Sequence, residues 1–177
     1  MDKMFFEVRK AVTYDIEEIR LLAKASFKTY TENAGITDLL APLNENYDDV
    51  KKAIETTNVY VALSNKEVIG SVRIEVKADN TAYLSRFGIS SLHQNNGIGK
   101  ILMNAVDNSM RELGVTRLYL HTASRMFSLI RFYYGRCFYI ESTNNDRGYI
   151  RALLCKEYES ETVEISTDNK ICDSAVV

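Results

Sequence analysis

The sequence predicts an α+β domain, with α/β order in its second half: a mixed, mostly antiparallel sheet of about seven strands flanked by about four helices. Three observations carry this. Between Val59 and Ile89, three short segments rich in β-branched and aromatic residues are separated by polar turns, the pattern of an antiparallel meander. Ahead of them, Ile16, Ile19, Leu22, Ala23 and Phe27 recur at helical spacing. Behind them, strand-like and helix-like segments alternate, so a right-handed crossover should join two parallel strands.

In order, "FFEVRKAV" reads as a strand, and Thr13 is placed to cap a helix through "YDIEEIRLLAKASFKTYTE". The acidic "DIEE" in its first turn suits the positive end of the helix dipole. Gly35 and Pro42 mark irregular chain before a second short helix around "DDVKKAIET". The meander follows as "VYVAL", "VIGSVRIEV" and "AYLSRFGI", with turns at "SNKE" and "KADN". Gly88 in the third strand marks a β-bulge, a close approach to the backbone, or a merely tolerated glycine. A helix from about Ile98 to Leu113 stops at Gly114, and "RLYLHT", a helix through "SLIRFYY", "CFYIEST" and "YIRALLCKEY" complete the domain. This assigns residues 1–158 to one domain and 159–177 to an acidic tail with five acidic residues against one lysine. Within the tail, "TVEIS" alternates like a strand able to pair with a sheet edge, including that of a second copy in a homodimer; a solvated tail is the favoured reading.

Hydrophobic residues make up 46% of the 177 and charged residues 26%, with one proline, as in an ordinary globular protein. A net charge of −2 with scattered lysines and arginines argues against a nucleic-acid or anionic-membrane partner and for a small ligand. No segment approaches the roughly 20 apolar residues that span a bilayer, and the amino terminus lacks a long apolar core, so a cytoplasmic location is expected. Cys137, Cys155 and Cys172 are odd in number and widely spaced, which favours reduced thiols. His93 and His121 are the only histidines and neither has a carboxylate cluster at ligand spacing, so no metal is expected.

The chemistry concentrates in "HQNNGIGKILM", which places bare backbone amides where a helix begins. Such a position attracts anions, because the first amides of a helix lack partners and its dipole is positive there. A P-loop would need glycine at Gln94 and serine or threonine at Ile101, and a dinucleotide fingerprint would need a third glycine at Leu102. What remains is Q-x-x-G-x-G, formed by Gln94, Gly97 and Gly99. With no bulky side chain at either glycine, the stretch Asn95, Asn96, Gly97, Ile98, Gly99 and Lys100 can turn successive N–H groups toward a diphosphate. Lys100 either adds charge or is a solvated lysine on a helix face.

This motif, in this order of elements from about Phe5 to Tyr158, resembles the acyl-CoA loop of the GNAT superfamily of N-acetyltransferases. The stretch "RLYLHTASRMFSLIRFYYGRCF" resembles a second family segment: Leu120 and Thr122 take its L-x-V places, Phe132 and Tyr133 its aromatic pair, and Phe138 the last place of its G-F pair. Met126 stands in place of an asparagine and Cys137 in place of a helix-ending glycine, a task that Gly135 is positioned to assume.

The resemblance implies that acetyl-CoA is the co-substrate, that its pantetheine arm lies along main-chain groups of Phe87, Gly88 and Ile89, and that its thioester enters a cleft between "AYLSRFGI" and "RLYLHT". It implies that Tyr133 protonates the departing thiolate, and His121 occupies a place used for the base in some relatives. An imidazole of ordinary pKa about 6.5 suits that role, and Glu75 is a second candidate. The acceptor, a small-molecule or peptide amine, should meet Tyr30, Asn33, Tyr47 and Asp48. The alternative is a CoA-binding or protein-interaction module without turnover.

Overall fold

Residues 6–37 and 41–159 are described in the computed structural model of the protein. Strand β1 (Phe6–Lys10) leads into helix α1 (Ile16–Ala34), the single-turn helix α2 (Ala41–Asn44) and helix α3 (Tyr47–Thr56). Strands β2 (Asn58–Ser64), β3 (Glu67–Val76) and β4 (Thr81–Ile89) form the predicted meander. Helix α4 (Ile98–Glu112), strand β5 (Arg117–Ala123), helix α5 (Phe127–Tyr134), and strands β6 (Tyr139–Asn144) and β7 (Arg151–Glu157) follow among the described residues. The seven strands form one sheet in the order β1-β2-β3-β4-β5-β7-β6. Its pairings are antiparallel except β4 with β5.

Two apolar layers sandwich the sheet. On one face, Ile98, Leu102, Met103, Val106 and Met110 of α4 pack against Leu84, Leu118, Leu120 and Leu154. On the other, Ile16 and Ile19 of α1 and Val50 and Ala53 of α3 cover Val59, Val61 and Leu63 of β2. Strand β2 is therefore buried on both faces, which explains why "VYVAL" is continuously apolar. Asp107 ties α4 to the far end of the sheet: it accepts hydrogen bonds from Arg136 Nη2 at 2.8 Å, Lys156 Nζ at 2.8 Å and the Tyr158 hydroxyl at 2.7 Å. A carboxylate buried with so many donors is fully compensated, whereas one missing donor would leave a costly charge.

Local details depart from the sequence reading. Thr13 does not cap α1; it opens a 3-10 turn, Thr13–Asp15. The residue that organises this junction is Asp15, whose carboxylate accepts from the Val12 amide at 2.7 Å and from both terminal nitrogens of Arg9 at 2.7 and 2.9 Å. Burial disfavours its charged form, but these donors outweigh that and hold its pKa below the usual carboxylate value. Pro42, expected in irregular chain, lies in α2, in the first turn of a helix, where its missing N–H costs nothing. The tail from residue 160 onward, with its strand-like segment, lies outside the described residues, as does Phe5. Among the described residues no helix is long and apolar enough to cross a membrane.

Candidate active site

Strands β4 and β5 are paired over three positions only, Thr81 with Arg117, Ala82 with Leu118 and Tyr83 with Tyr119. Beyond Tyr83 each stays bound to its outer neighbour, β4 to β3 and β5 to β7, while the facing edges separate. The result is a wedge that opens toward the carboxyl ends of two parallel strands, with unpaired main-chain groups along β4. Such groups need partners, and an extended ligand supplies them.

A bulge sharpens the opening. Ser85 pairs with Arg73 and Gly88 with Ser71, so Arg86 and Phe87 together stand opposite Val72. Arg86 has φ of 55°, in the left-handed region. The bulge is therefore centred on Arg86, two residues before the predicted Gly88. Gly88 has the other role foreseen for it, close approach: a Cβ there would lie 2.9 Å from Ser26 Oγ and 3.0 Å from Ser26 Cβ, so glycine lets α1 sit directly on β4.

The glycine loop stands at the mouth of this wedge. Asn95 and Gly97 take left-handed conformations, φ 63° and 80°. Asparagine tolerates that region and glycine enters it without cost. Among the described residues, the amides of Asn95, Asn96, Gly97, Ile98 and Gly99 have no protein acceptor. Lys100 differs from the expectation: its amide is taken by the Gly97 carbonyl at 3.0 Å, so only its exposed ammonium remains for an anion. Ile98 contributes an amide while its side chain is buried in the core. Gln94 is exposed and its Nε2 reaches back to the Ile89 carbonyl at 3.4 Å, tying the loop to the end of β4. An open cavity of about 470 Å³ beside Gln94 runs between α1 and the β3–β4 ends, lined by Ser26, Thr29, Ile89 and Ser90 among others. At Gly99 an added Cβ would touch the rings of Phe87 and Phe132 at 3.4 Å, ordinary contact, so this position requires a small residue more than a flexible one.

Helix α5 closes the wedge from the side of α4. Tyr133 is 4% exposed and packed among Phe87, Phe132 and Phe138 at centroid separations of 6.2, 5.3 and 5.4 Å. Burial, and after it the neighbouring Tyr30, push the Tyr133 phenol above its ordinary value, so it is protonated throughout the neutral range. Tyr30 reaches from α1 across the opening, and its hydroxyl accepts the Ala123 amide at 2.7 Å at the end of β5. Its proton stays available for another acceptor.

On the face away from α4, the Tyr83 hydroxyl lies 2.8 Å from His121 Nδ1. Burial, then the charge of Arg151, lower the His121 pKa below 6.5, so the imidazole is neutral at neutral pH. In the tautomer that carries its proton on Nδ1 and donates it to the Tyr83 oxygen, the Nε2 lone pair is free to act as a base; in the other, Tyr83 donates to Nδ1.

Other sequence candidates are not assembled here. Asn33, Tyr47, Asp48 and Glu75 are exposed, and among the described residues their side chains make no hydrogen bond or ion pair. Met126 opens α5 without a side-chain cap. The suggestion that Gly135 replaces the missing glycine is half right: Gly135 is the C-cap but right-handed, φ −64°, while Cys137 takes the left-handed position, φ 65°. The chain needs that turn so that the Phe138 amide can close on the Tyr133 carbonyl at 3.1 Å. Sequence reasoning missed Tyr83 and Arg86. Tyr83 is the last residue of "KADNTAY" with nothing to mark it, and a bulge at a non-glycine residue leaves no pattern.

Among the described residues no group of three or more His, Cys, Asp or Glu is placed to hold a metal ion. A splayed parallel pair beside a helix start rich in free amides is the arrangement that the sequence resemblance implies. Residues 20–138 match the sequence profile of the acetyltransferase (GNAT) family, and the chain belongs to that family, whose co-substrate is acetyl-CoA. Solved structures agree in fold. PaiA N-acetyltransferase from Thermoplasma acidophilum, in complex with coenzyme A, is 23% identical with TM-score 0.77, over 88% of this chain and 100% of that one. A probable acetyltransferase from Staphylococcus epidermidis is 14% identical with TM-score 0.73, over 88% and 100%. A ribosomal-protein-alanine N-acetyltransferase from Brucella melitensis is 16% identical with TM-score 0.71, over 86% and 99%. A comparison by sequence with curated proteins finds no match.

Proposed function

We propose that the protein is an N-acetyltransferase that passes the acetyl group of acetyl-CoA to a primary amine of a small molecule or peptide within a ternary complex. The observation that carries this reading is the run of unpartnered amides from Asn95 to Gly99 at the mouth of the wedge between β4 and β5. Tyr133, packed against Phe87 of β4, and the His121–Tyr83 pair, which joins β5 to β4, are the side chains with matching chemistry on these elements. The amides and the start of α4 bind the diphosphate; each hydrogen bond to a charged group contributes roughly 1.5–3 kcal/mol, so several acting together hold it. Unpaired main-chain groups of β4, from Phe87 to Ile89, orient the arm that carries the thioester. His121, neutral, takes a proton from the attacking amine, with Tyr83 fixing its tautomer. Tyr133 delivers a proton to the departing sulfur.

Calorimetry with metal-free protein should detect acetyl-CoA, and Gly97→Val, which forces a β-branched residue into a left-handed position, should abolish most of that affinity. Thiol release should then be followed over polyamines, amino acids, aminoglycosides and short peptides. Tyr133→Phe should lower kcat by about 100-fold while leaving acetyl-CoA affinity within a factor of about two. Equal losses in both would remove Tyr133 from the chemistry. Met126, which stands where the family resemblance places an asparagine, motivates the second reading, a CoA-binding module. Binding with no thiol release across the whole panel would select it.

A further inference from the structure

The sheet face that carries Tyr83 and His121 is unusually cationic. Strand register puts Arg73 beside Ser85, Tyr83 beside Tyr119, and Arg151 beside Ala123, so Arg73, Tyr83, His121 and Arg151 share one face of the sheet. The apolar cluster that α1 and α3 form on this face centres on β2, and α1 also touches β3 and β4.

Two arginine–carboxylate groups border it. Glu45, in the connection between α2 and α3, receives Arg73 Nη1 at 2.9 Å and Arg86 Nη2 at 2.9 Å, so one carboxylate answers two guanidinium groups. Asp146 receives Arg151 Nε at 3.2 Å and Nη2 at 3.0 Å, with Arg147 next to it in the chain. Three arginines thus meet two carboxylates, with the exposed Arg147 adding a fourth positive charge nearby. Glu75 shares the face, but it is exposed and its charge is screened by solvent.

The geometry of the forks matters more than the sum. Arg86 and Arg151 each present the same edge, Nε and Nη2, to their carboxylate. Among the described residues Nη1 of each has no acceptor. Their side chains are 22% and 10% exposed, so these cations are held in place by packing and partly desolvated. A guanidinium fixed on one edge offers its other nitrogen without further loss of side-chain entropy. Both cations act on the same centre: the charges of Arg151, Arg147 and Arg86 all lower the pKa of Tyr83, against the larger raising effect of burial.

We infer that the acceptor amine carries an anionic group, a carboxylate or a phosphate, which binds between Arg86 and Arg151 while the amine stands at His121. This rests on the transferase reading and goes beyond it by naming the acceptor's second group. The net charge of −2 does not oppose it, because local field and not net charge governs a site.

Matched pairs of amines test it: lysine against cadaverine, phosphoethanolamine against ethanolamine, and peptides beginning Glu against peptides beginning Gln. Each is titrated by calorimetry into protein saturated with CoA and assayed for thiol release with acetyl-CoA. In at least one pair the anionic member should bind tenfold or more tightly than its partner, with the advantage shrinking as salt rises. The lysine and phosphoethanolamine arms separate carboxylate from phosphate. Arg86→Gln and Arg151→Gln, checked for folding by circular dichroism, should each cut that advantage severalfold and leave acetyl-CoA affinity unchanged. Equal binding within every pair, preference for the cationic members, or binding of none overturns the inference, on the wild-type protein alone. Binding of anionic members without thiol release would instead strike only at the transfer chemistry.

Discussion

At the residue scale, the proposed acid and base are two groups whose titration is moved in opposite directions by the same cause. Burial disfavours charge, so it lowers the pKa of His121 and raises that of Tyr133. The pair is thereby set as neutral base and protonated acid over one pH range. The sign follows directly: His121 serves as base only when deprotonated, and its pKa lies below 6.5, so activity should be lost as pH falls through that lower value. A profile of kcat/KM from pH 5 to 9 should show its acid limb below about 6.5. In His121→Gln that limb should vanish and the plateau should drop by about 100-fold. A profile in which the limb survives the substitution would assign the base elsewhere, with Glu75 next in line. The sequence made His121 and Tyr133 visible because their motif positions are marked by neighbours in the chain. Tyr83, which hydrogen-bonds His121 from another strand 38 residues away, had no such mark.

At the element scale, the wedge depends on where α1 and β4 touch. The Gly88–Ser26 contact leaves no room for a methyl group. Gly88→Ala should destabilise the protein by about 1–3 kcal/mol in urea denaturation. Ser26→Gly removes the obstructing atoms and by itself should cost about 1 kcal/mol, as a glycine inside a helix. Combined, the two should cost at least about 1 kcal/mol less than their sum, because the collision is present in only one of the single variants. Strict additivity would show that α1 shifts freely and that Gly88 is not a packing site. The same scale shows where sequence reading stops. Elements with strong periodicity, such as α4, or bounded by turn residues, such as the meander strands, were legible. The bulge at Arg86 and the left-handed Cys137 were not, since each places a residue in a backbone region that its type disfavours. Tertiary contacts impose those conformations against local preference.

At the scale of the whole molecule, the sheet is continuous on both sides of the wedge and interrupted within it. Outer strands hold β4 and β5 apart over their carboxyl halves, so main-chain groups there and at the start of α4 stay open while the rest of the core is packed. A ligand that fills this gap joins the two halves of the sheet and should stabilise the folded state as a whole. At a concentration 100 times its Kd, acetyl-CoA should contribute about 2.7 kcal/mol. For a chain of this size that corresponds to a rise in Tm of about 5–10 °C by scanning calorimetry. Gly97→Val should show little of that rise, and an undiminished rise in that variant would place the nucleotide away from the loop.

The sequence by itself determined the class of fold, the order of nearly all the elements, the position of the glycine loop at a helix start and the family, because hydrophobic period, turn residues and helix-start chemistry are local and leave their mark in the chain. Only the tertiary structure decided how far β4 and β5 stay paired, which amides remain free, and which side chains meet across the gap. Those outcomes depend on register and on contacts between residues tens of positions apart, and Arg73 and Arg86, both held by Glu45 28 and 41 positions away, are the clearest example.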